Sequence, residues 1–323
     1  MTEKPNQDNI CDFDCAKLHD PLVSIIVTHF NYSDHIQDAL LSVLSQTHQN
    51  WECVVVDDCS NAEHRIELER IINKIGSRKI RLISTEENLG QTLTFFKGFE
   101  TTSGEFVCLL DPDDRYAPVF IEKMLEAHLH EMIFCPLASC DQRLFKNGSV
   151  ISGMNTHLKK RFLVKNNGFF ELPAQPSVSQ YYIPAGVEGW NWTTSSAIMF
   201  RRAAVNLARP YRQLSCRNST DAYLAQGLHR LGGTIFVTSP LVYRGLHNAN
   251  CWMTSEIYSS SQKSGRAGRK EDAPELLVDV IDAIRHNGGG EQLDRFVRKK
   301  KKNLNLLQKW NRSIRKSFSF LPK

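Results

Sequence analysis

The sequence predicts an α/β fold, in which a mostly parallel central sheet is flanked by helices and followed by a C-terminal helical extension. Two observations lead to this fold class. Short apolar runs rich in β-branched residues, typical of buried strands, alternate four times with segments that carry apolar residues at helical spacing. Polar residues follow directly after these runs, where open α/β sheets bind their ligands.

The first half of the chain supplies this alternation. Strands are predicted at 21–32, 51–60, 79–84 and 105–110, and helices at 34–46, at 61–75, within 88–104 and at 116–130. Ser33 and Asp34 are predicted to cap the first helix. Three of the strands end in HFN, DDCS and DPDD, and we expect these polar residues to meet at the carboxyl edge of the sheet.

The second half is less regular. Its predicted elements are a hairpin at 143–152, an irregular loop at 153–190, a strand that runs into a helix at 193–205, a helix at 219–233, two short strands in TIFVTS and LVYRGLH, a linker at 256–271, and helices at 272–287 and 291–318. Asn-Gly between two apolar runs indicates the hairpin. For the helix at 219–233, Ser219 or Thr220 is the predicted cap and two glycines mark the end.

Composition argues against several classes of protein. No apolar run is long enough to cross a bilayer, and the first twenty residues lack the basic start and apolar middle of a secretory signal. The nine cysteines are an odd number without matched zinc-ligand spacing, which indicates reduced thiols in a cytosolic protein. The absence of GxGxxG and Walker A sequences argues against a dinucleotide fold or a P-loop.

The segment LLDPDDRY brings three carboxylates, Asp111, Asp113 and Asp114, into four positions at the end of a strand. Carboxylates this close repel one another unless a cation or water screens them. Mg²⁺ and Mn²⁺ prefer carboxylate oxygens and water, and few protein ligands suffice when substrate phosphates complete the shell. The alternative is an acidic turn in which an Asp caps the next helix. The position at a strand end favours a half-built cation site that a substrate completes.

Together these features resemble the family 2 glycosyltransferases, which have the Rossmann-like GT-A fold. The matching stretches are VSIIVTHFNYSDHIQDALLSVLSQTHQNWECVVVDDCS, NLG, GEFVCLLDPDD and STDAYLAQGLHRLGGTIFVTSPLVYRGLH. The resemblance implies an inverting transfer of a hexose from a UDP- or dTDP-linked sugar to a carbohydrate or lipid-linked saccharide, with Mn²⁺ or Mg²⁺ as cofactor. We expect a polar segment at 1–20, a glycosyltransferase domain at 21–255 with a donor half (21–130) and an acceptor half (131–255), and a basic helical tail at 272–323.

The resemblance also implies roles for the carboxylates of DPDD, which fall on the family's DxD motif. Asp111 and Asp113 would contact the nucleotide sugar, and Asp113 and Asp114 would bind the metal. His247 falls on a late histidine that approaches the metal or the diphosphate in some relatives. A histidine with a purely structural role is the alternative for His247.

Four further positions match the family. Thr28 and Phe30 fall beside the nucleotide base, and Asp58 falls where the family reads the pyrimidine edge. A turn aspartate that bonds its own backbone is the alternative for both Asp57 and Asp58. Asp221, in STD, falls on the general base that takes the proton of the attacking hydroxyl. A helix-start residue favoured by the helix dipole is the alternative for Asp221.

The chain departs from the family pattern at two places. Phe95 and Phe96 stand where Arg and Asn are usual, so a basic contact to the diphosphate is missing or comes from elsewhere, and STD replaces the commoner Glu-Asp pair. Trp190 and Trp192, just before this second site, either contact a sugar or pack in the core. A catalytically inactive GT-A protein that binds a nucleotide sugar is therefore the alternative function. A nucleotidyltransferase would need a Gly- and Arg-rich loop in place of THFNYSDH.

Charge is concentrated at the end of the chain. Residues 291–323 carry a net charge of +9 out of a total of +5, which leaves −4 for the rest, so we expect no nucleic-acid partner. Apolar residues recur there at helical spacing from Leu293 to Phe318, with four lysines at 299–302. Such a helix suits an anionic membrane surface, or alternatively docks on the domain. By family analogy we predict a cytoplasmic enzyme of surface-polysaccharide or glycolipid synthesis, peripheral on the inner face of the bacterial cytoplasmic membrane.

Overall fold

The computed structural model describes eight stretches of the chain, namely 20–130, 133–146, 149–152, 170–171, 180–187, 191–215, 217–247 and 274–294. The predicted polar segment up to residue 19, most of the predicted irregular loop, the linker at 256–271 and the tail after residue 294 lie outside the described residues.

The first half of the chain forms the predicted alternation of strands and helices. Its elements are β1 (Val23–His29), α1 (Ser33–Leu44), β2 (Trp51–Asp57), α2 (Ala62–Ile75), β3 (Ile80–Ser84), α3 (Gln91–Glu100), β4 (Phe106–Leu110), β5 (Arg115–Tyr116) and α4 (Phe120–His128). β1 pairs in parallel with β2 and β4, and β2 pairs in parallel with β3. The predicted parallel arrangement of the first four strands is therefore confirmed.

The second half extends this sheet. Its elements are β6 (Leu137–Lys146), β7 (Ser149–Ser152), β8 (Phe170–Glu171), β9 (Gln180–Ile183), β10 (Ile198–Arg201), α5 (Arg202–Leu207), α6 (Thr220–Gly232), β11 (Thr234–Gly245) and α7 (Pro274–Ile284). β6 and β7 form the predicted hairpin. β10 lies antiparallel between β4 and β6, and β11 is parallel to β6, so the sheet is mixed, in the order β3-β2-β1-β4-β10-β6-β11-β9-β8.

Long-range pairing changes three of the predicted elements, the first being the irregular loop at 153–190, whose described parts include the strands β8 and β9. TIFVTS and LVYRGLH form one strand, β11, whose register against β6 shifts on either side of Pro240. A proline has no N–H to donate to the ladder, and a bulge lets the pairing continue past it. Arg115 and Tyr116 pair with β11 as β5, so α4 begins at Phe120 and not at 116.

The predicted caps of two helices are absent. Neither Ser33 nor Asp34 caps α1, because the helix already begins at Ser33, whose hydroxyl lies 2.7 Å from His64 Nδ1. Ser219 precedes α6 in the left-handed region, with φ of 87°, and makes no side-chain hydrogen bond to the start of the helix. In α2, by contrast, Asn61 accepts a hydrogen bond from the backbone N–H of His64 and caps the helix.

Helices cover both faces of the sheet. Alternate residues of β1 point to opposite faces: Ile25 and Val27 belong to a core cluster that includes residues of α1, α2 and α4, and Ile26 belongs to a second cluster with residues of α3, α6 and α7. Phe95 and Phe96 are buried in this second cluster. The aromatic residues that replace the family's Arg and Asn therefore face the core.

Helix α7 is packed on the same body as the sheet. Its Leu276 and Val280 are buried in the second cluster, and Val280 lies against Gly227 of α6, where a Cβ would be 2.4 Å from a Val280 methyl. Asp279 accepts a hydrogen bond from the backbone N–H of Ser215 at 2.7 Å. The helix that follows the predicted linker is thus part of the domain. Among the described helices, none combines the length and the apolar character needed to cross a membrane.

Candidate active site

A buried histidine fixes the turns after β1 and β2. His29 Nδ1 and Asp57 Oδ1 are 2.9 Å apart, and the N–H of Ser60 donates to Asp57 Oδ2 at 3.3 Å. The backbone N–H of Tyr32 lies 3.3 Å from His29 Nε2, which fits a neutral ring that carries its proton on Nδ1. Burial alone would raise the pKa of Asp57, but hydrogen bonds from His29 and Ser60 outweigh it and hold the pKa below its usual value. The turn role considered for Asp57 is confirmed.

The two positions predicted beside the nucleotide base lie at the end of β1. Thr28 is buried, whereas Phe30 is 48% exposed. Between Phe30 and α1, Asn31 adopts φ of 51° and its N–H donates to Ser60 Oγ at 2.9 Å, so the backbone next to Phe30 is held in place. This half-exposed ring at the carboxyl edge of the sheet is able to stack on a planar ligand.

Asp58 closes the turn before α3. Its Oδ1 accepts hydrogen bonds from the N–H of Leu89 at 2.7 Å and from Thr85 Oγ1 at 3.2 Å, and its Oδ2 accepts from the N–H of Gly90 at 2.8 Å. The residue is 3% exposed. Three of the roughly four acceptor positions of the carboxylate are thus used within the chain. Asp58 holds the NLG turn, and its predicted contact with a base stays a prediction.

The loop before α6 docks on the same turn. Arg217 donates to the carbonyl oxygen of Asn88, to Asn88 Oδ1 at 2.8 Å and to the carbonyl oxygen of Leu89 at 3.3 Å. Gly90 has φ of 81°, and a Cβ there would lie 2.6 Å from Arg217 Cβ, so both the backbone conformation and the close approach require glycine. Sequence reasoning missed Arg217, because nothing local connects it with NLG.

Asp111, the first carboxylate of DPDD, is held through both of its oxygens. Gln91 Nε2 donates to Oδ1 at 2.9 Å, and Ser195 Oγ donates to Oδ2. Burial raises the pKa of Asp111 to about 7, and the charges of Asp113 and Asp221 act in the same direction. The Gln91 side chain also accepts from the N–H of Thr220, the residue before Asp221, so the predicted general base lies near the DPDD turn.

Asp114 is an anchor inside the protein. Its Oδ2 accepts from Ser196 Oγ at 2.6 Å and its Oδ1 from the N–H of Gly245 at 3.1 Å, and the residue is 2% exposed. Burial raises its pKa well above the usual range, the charges of Asp113 and Asp111 add to this, and that of Arg244 opposes it. Asp114 therefore fastens the DPDD turn to β11, and its predicted contact with a metal stays a prediction.

Asp113 and His247 come together at the edge of the site, as two predicted metal ligands. Asp113 Oδ2 lies 3.1 Å from His247 Nε2, and the side chain of Asp113 is 15% exposed. Tyr32 Oη is 3.1 Å from the same nitrogen, and the ring of His35 stacks on that of His247 at a centroid distance of 4.2 Å. Burial lowers the pKa of His35, and the charge of His247 lowers it further.

Asp221 lies in the first turn of α6, where the helix dipole stabilises a carboxylate. Trp192 Nε1 donates to Asp221 Oδ2 at 3.3 Å, and the indole ring is completely buried. Packing, one of the two alternatives for Trp192, is thus confirmed, and its N–H also orients the predicted base. Trp190 lies outside the described residues.

Several residues that hold the site were not predicted. Ser195 and Ser196, which donate to Asp111 and Asp114, were expected in a strand but lie in a single helical turn, Ser195–Ala197, directly before β10. Gln91 is the other missed partner of Asp111. The available signal was the run of four hydroxyl residues, TTSS, ahead of an apolar strand.

The residues of this edge fit a divalent cation. Within the described residues, no group of three or more His, Cys, Asp or Glu side chains converges as a metal site. Asp113 and His247 nevertheless bring a carboxylate oxygen and an imidazole nitrogen to within 3.1 Å, and Mn²⁺ accepts both kinds of ligand. Such a pair suits a cation that takes its other ligands from a bound diphosphate and from water.

The sheet order and the position of the carboxylates define a GT-A fold. Two solved structures share it with a TM-score of 0.52: TarS of S. aureus in complex with UDP-GlcNAc, at 17% identity over 85% of this chain and 71% of that one, and the mannosyltransferase PcManGT of Pyrobaculum calidifontis in complex with GDP-Man and Mn²⁺, at 15% identity over 86% and 73%. At these identities the similarity concerns the fold alone.

The sequence comparison is more specific. Residues 24–175, somewhat less than half of the chain, match the model of glycosyl transferase family 2, and this part of the chain is similar to that family. It is 41% identical over 106 residues to TuaG of Bacillus subtilis, a glycosyltransferase named for teichuronic acid biosynthesis. That match covers 33% of this chain and 41% of TuaG, so the chain spans less than half the length of this relative.

Proposed function

We propose that this protein transfers a hexose from a UDP- or dTDP-linked sugar to an acceptor hydroxyl, with inversion at the anomeric carbon, in surface-polysaccharide or glycolipid synthesis. One observation carries the proposal: the DPDD turn places Asp113 3.1 Å from His247, and its Asp111 is bonded to Gln91, whose side chain also accepts from Thr220, the residue before Asp221. We assign the DPDD carboxylates to the donor and Asp221 to the acceptor.

The donor side is formed by residues at the end of β1, in the DPDD turn and just after β11. Phe30 stacks on the nucleotide base beside Thr28, Asp111 contacts the donor, and Asp113 and His247 hold Mn²⁺ or Mg²⁺. When bound, the cation neutralises the charge that develops on the leaving diphosphate. Phe95 and Phe96 are buried, so a basic contact to the diphosphate has to come from elsewhere. Arg244 suits this role, because its positive charge is near enough to Asp111 to oppose the rise in pKa that burial causes in that carboxyl.

Asp221 is the proposed general base. Its carboxylate takes the proton of the acceptor hydroxyl while the hydroxyl oxygen bonds to the anomeric carbon and the bond to the diphosphate oxygen breaks. Attack on the face opposite to the leaving group inverts the centre, and no carboxylate nucleophile is required. The indole N–H of Trp192 supports this role because it fixes the orientation of the carboxylate.

Similar proteins support a nucleotide sugar as the donor. TarS is solved with UDP-GlcNAc and PcManGT with GDP-Man and Mn²⁺, and TuaG is named for teichuronic acid biosynthesis. For this chain we propose a carbohydrate or lipid-linked saccharide as acceptor. The basic tail, which lies outside the described residues, would hold the enzyme on the inner face of the cytoplasmic membrane.

Donor turnover tests the function. The wild-type protein is incubated with a panel of UDP-, dTDP- and GDP-linked hexoses and MnCl₂, and release of the nucleoside diphosphate is followed with and without EDTA. We expect release from one UDP- or dTDP-linked sugar, stimulated by saccharide acceptors and abolished by EDTA. Binding of UDP with Mn²⁺ but no release from any sugar, with or without acceptors, would indicate instead the inactive binding protein.

A further inference from the structure

One side chain spans the two halves of this site. Gln91, the first residue of α3, donates from Nε2 to Asp111 Oδ1 at 2.9 Å. Its Oε1 accepts from the backbone N–H of Thr220 at 3.4 Å and from the Thr220 hydroxyl at 3.3 Å. Thr220 is the first residue of α6 and directly precedes Asp221. A single amide thus connects the donor-side carboxylate with the helix start that carries the base.

The backbone that presents Gln91 is fastened on both sides. The N–H of Gly90 donates to Asp58 Oδ2 at 2.8 Å, and the N–H of Gln91 itself donates to Asn218 Oδ1 at 3.3 Å. Because the chain enters α3 through a left-handed glycine packed against Arg217, the position of the Gln91 Cα is set by its surroundings. A side chain that starts from a fixed Cα and is bonded at its far end is well suited to fix a distance.

We infer that Gln91 is the positioning residue that sets Asp111 and Asp221 relative to each other. This inference rests on the proposed function. The amide N–H orients Asp111, whose other oxygen is held by Ser195, and the amide oxygen fixes the place where α6 begins. A side-chain amide combines a directed donor with a directed acceptor on one planar group, and neither a carboxylate nor an ammonium replaces both contacts.

A plain helix-to-helix tie is the competing account of Gln91. Such a tie already exists beside it, because Thr92 Oγ1 and Thr220 Oγ1 are 3.2 Å apart and buried. Gln91 differs from Thr92 in that its donor ends on a site carboxylate. The two residues therefore offer a matched comparison between a contact that holds helices and a contact that places reactive groups.

Two substitutions separate the arms of the amide. Gln91→Glu keeps an acceptor for Thr220 but loses the donor to Asp111 and adds a like charge, so UDP–Mn²⁺ binding should weaken about tenfold and sugar-nucleotide turnover should fall about 10²-fold. Gln91→Lys keeps a donor to Asp111 but loses the acceptor, so UDP–Mn²⁺ binding should be retained or strengthened while turnover falls by about the same factor. Binding is measured by calorimetry with UDP and MnCl₂, and turnover with the sugar nucleotide that the wild type cleaves.

Thr92→Val is the control, since it removes the neighbouring tie with little change of shape. It should lower the melting temperature by the amount expected for the loss of one neutral hydrogen bond. Turnover should stay within about twofold of the wild-type value. Wild-type turnover in both Gln91 variants would overturn the inference. So would a loss of UDP–Mn²⁺ binding and of turnover in both variants together with a lower melting temperature. A loss of turnover in Thr92→Val as large as theirs would overturn it as well. A wild type that neither binds UDP with Mn²⁺ nor cleaves any sugar nucleotide would remove the proposed function itself, and the inference with it.

Discussion

His247 Nε2 lies 3.1 Å from Asp113 Oδ2, a contact between the end of β11 and the DPDD turn, which are 134 residues apart in the chain. Tyr32 and His35 contact the same imidazole, so three segments of the chain meet there. The imidazole nitrogen and the carboxylate oxygen are both ligands for divalent cations, and both belong to a partly exposed edge. The contact therefore distinguishes Asp113 from its buried neighbour Asp114.

Asp113→Ala should remove the Mn²⁺-dependent part of UDP binding and lower turnover by about 10²–10³-fold, as expected for the loss of a group that stabilises transition-state charge. The melting temperature should change little, because the side chain is partly exposed. Calorimetry with UDP in the presence and absence of MnCl₂ measures the first effect and a thermal melt the second.

Asp114→Ala is the matched variant. It removes the acceptor of the Ser196 hydroxyl and of the Gly245 N–H, a loss of about 1–3 kcal/mol in unfolding free energy for each buried polar group. Its first effect should therefore be a lower melting temperature. Identical melting temperatures for Asp113→Ala and Asp114→Ala would show that the two carboxylates contribute equally to the stability of the fold.

Asp221→Asn should keep UDP–Mn²⁺ binding and lose turnover by about 10²–10⁴-fold, the usual range for a general base. Trp192→Phe keeps an aromatic side chain and removes the indole N–H that orients the Asp221 carboxylate, so a smaller loss of turnover, about tenfold, is expected. Donor affinity that collapses together with turnover in the Asn variant would assign Asp221 to the donor side instead.

Gly90→Ala should destabilise the fold by about 1–3 kcal/mol, because the residue has φ of 81° and a Cβ there would meet Arg217. Gly290→Ala is the control: its φ is −61°, helical, and the atom nearest to a Cβ there lies at 3.7 Å. Alanine at this second position should raise stability by up to about 1 kcal/mol. Urea unfolding of both variants measures the difference, and equal midpoints would contradict it.

Removal of residues 295–323 should leave a folded domain that binds UDP with Mn²⁺, because residues between Ile26 and Leu293 already form a buried second core cluster within the described part of the chain. Removal of residues 274–323 should instead give an aggregating or partly unfolded protein, since it uncovers α6 around Gly227. Circular dichroism and size-exclusion chromatography distinguish the two outcomes. A well-folded protein without α7 would show that the helix is an appendage.

The shorter deletion also tests the basic tail. Full-length protein should sediment with vesicles of anionic lipid and the variant without 295–323 should not, since each nearby basic residue contributes about 1 kcal/mol of attraction. High salt should weaken binding without abolishing it, because apolar side chains such as Trp310 add a part that salt does not screen. Full-length protein that ignores anionic vesicles at low salt would refute the membrane role.

The sequence was most informative where structure is set by local periodicity. The four parallel strands and the helices between them were predicted because apolar residues repeat at the spacing of each element. β5 could not be predicted, since a two-residue strand such as Arg115–Tyr116 exists through its pairing with β11. The cap predicted at Ser33 failed for the same kind of reason, because a distant histidine binds its hydroxyl.

The candidate site, too, could be predicted only in part. The carboxylates could be found because they follow strands directly, and strand ends gather at one edge. Their individual roles could not, because Asp58 and Asp114 are engaged by the NLG turn and by β11, which are remote in sequence. Gln91 and Ser195 were missed because neither the first residue of a helix nor a run of hydroxyl residues identifies Asp111 as the partner.

The contact between Gly227 and Val280 bears on how the protein is made. Val280 and Leu293 are the last described members of a core face that begins at Ile26 of β1, so native packing of this face must wait until nearly three hundred residues have been synthesised. At a translation rate of about 5–20 residues per second, the growing chain carries an unfinished apolar surface for several seconds or longer. Chaperone binding during synthesis should therefore concentrate on the chain before α7 emerges from the ribosome.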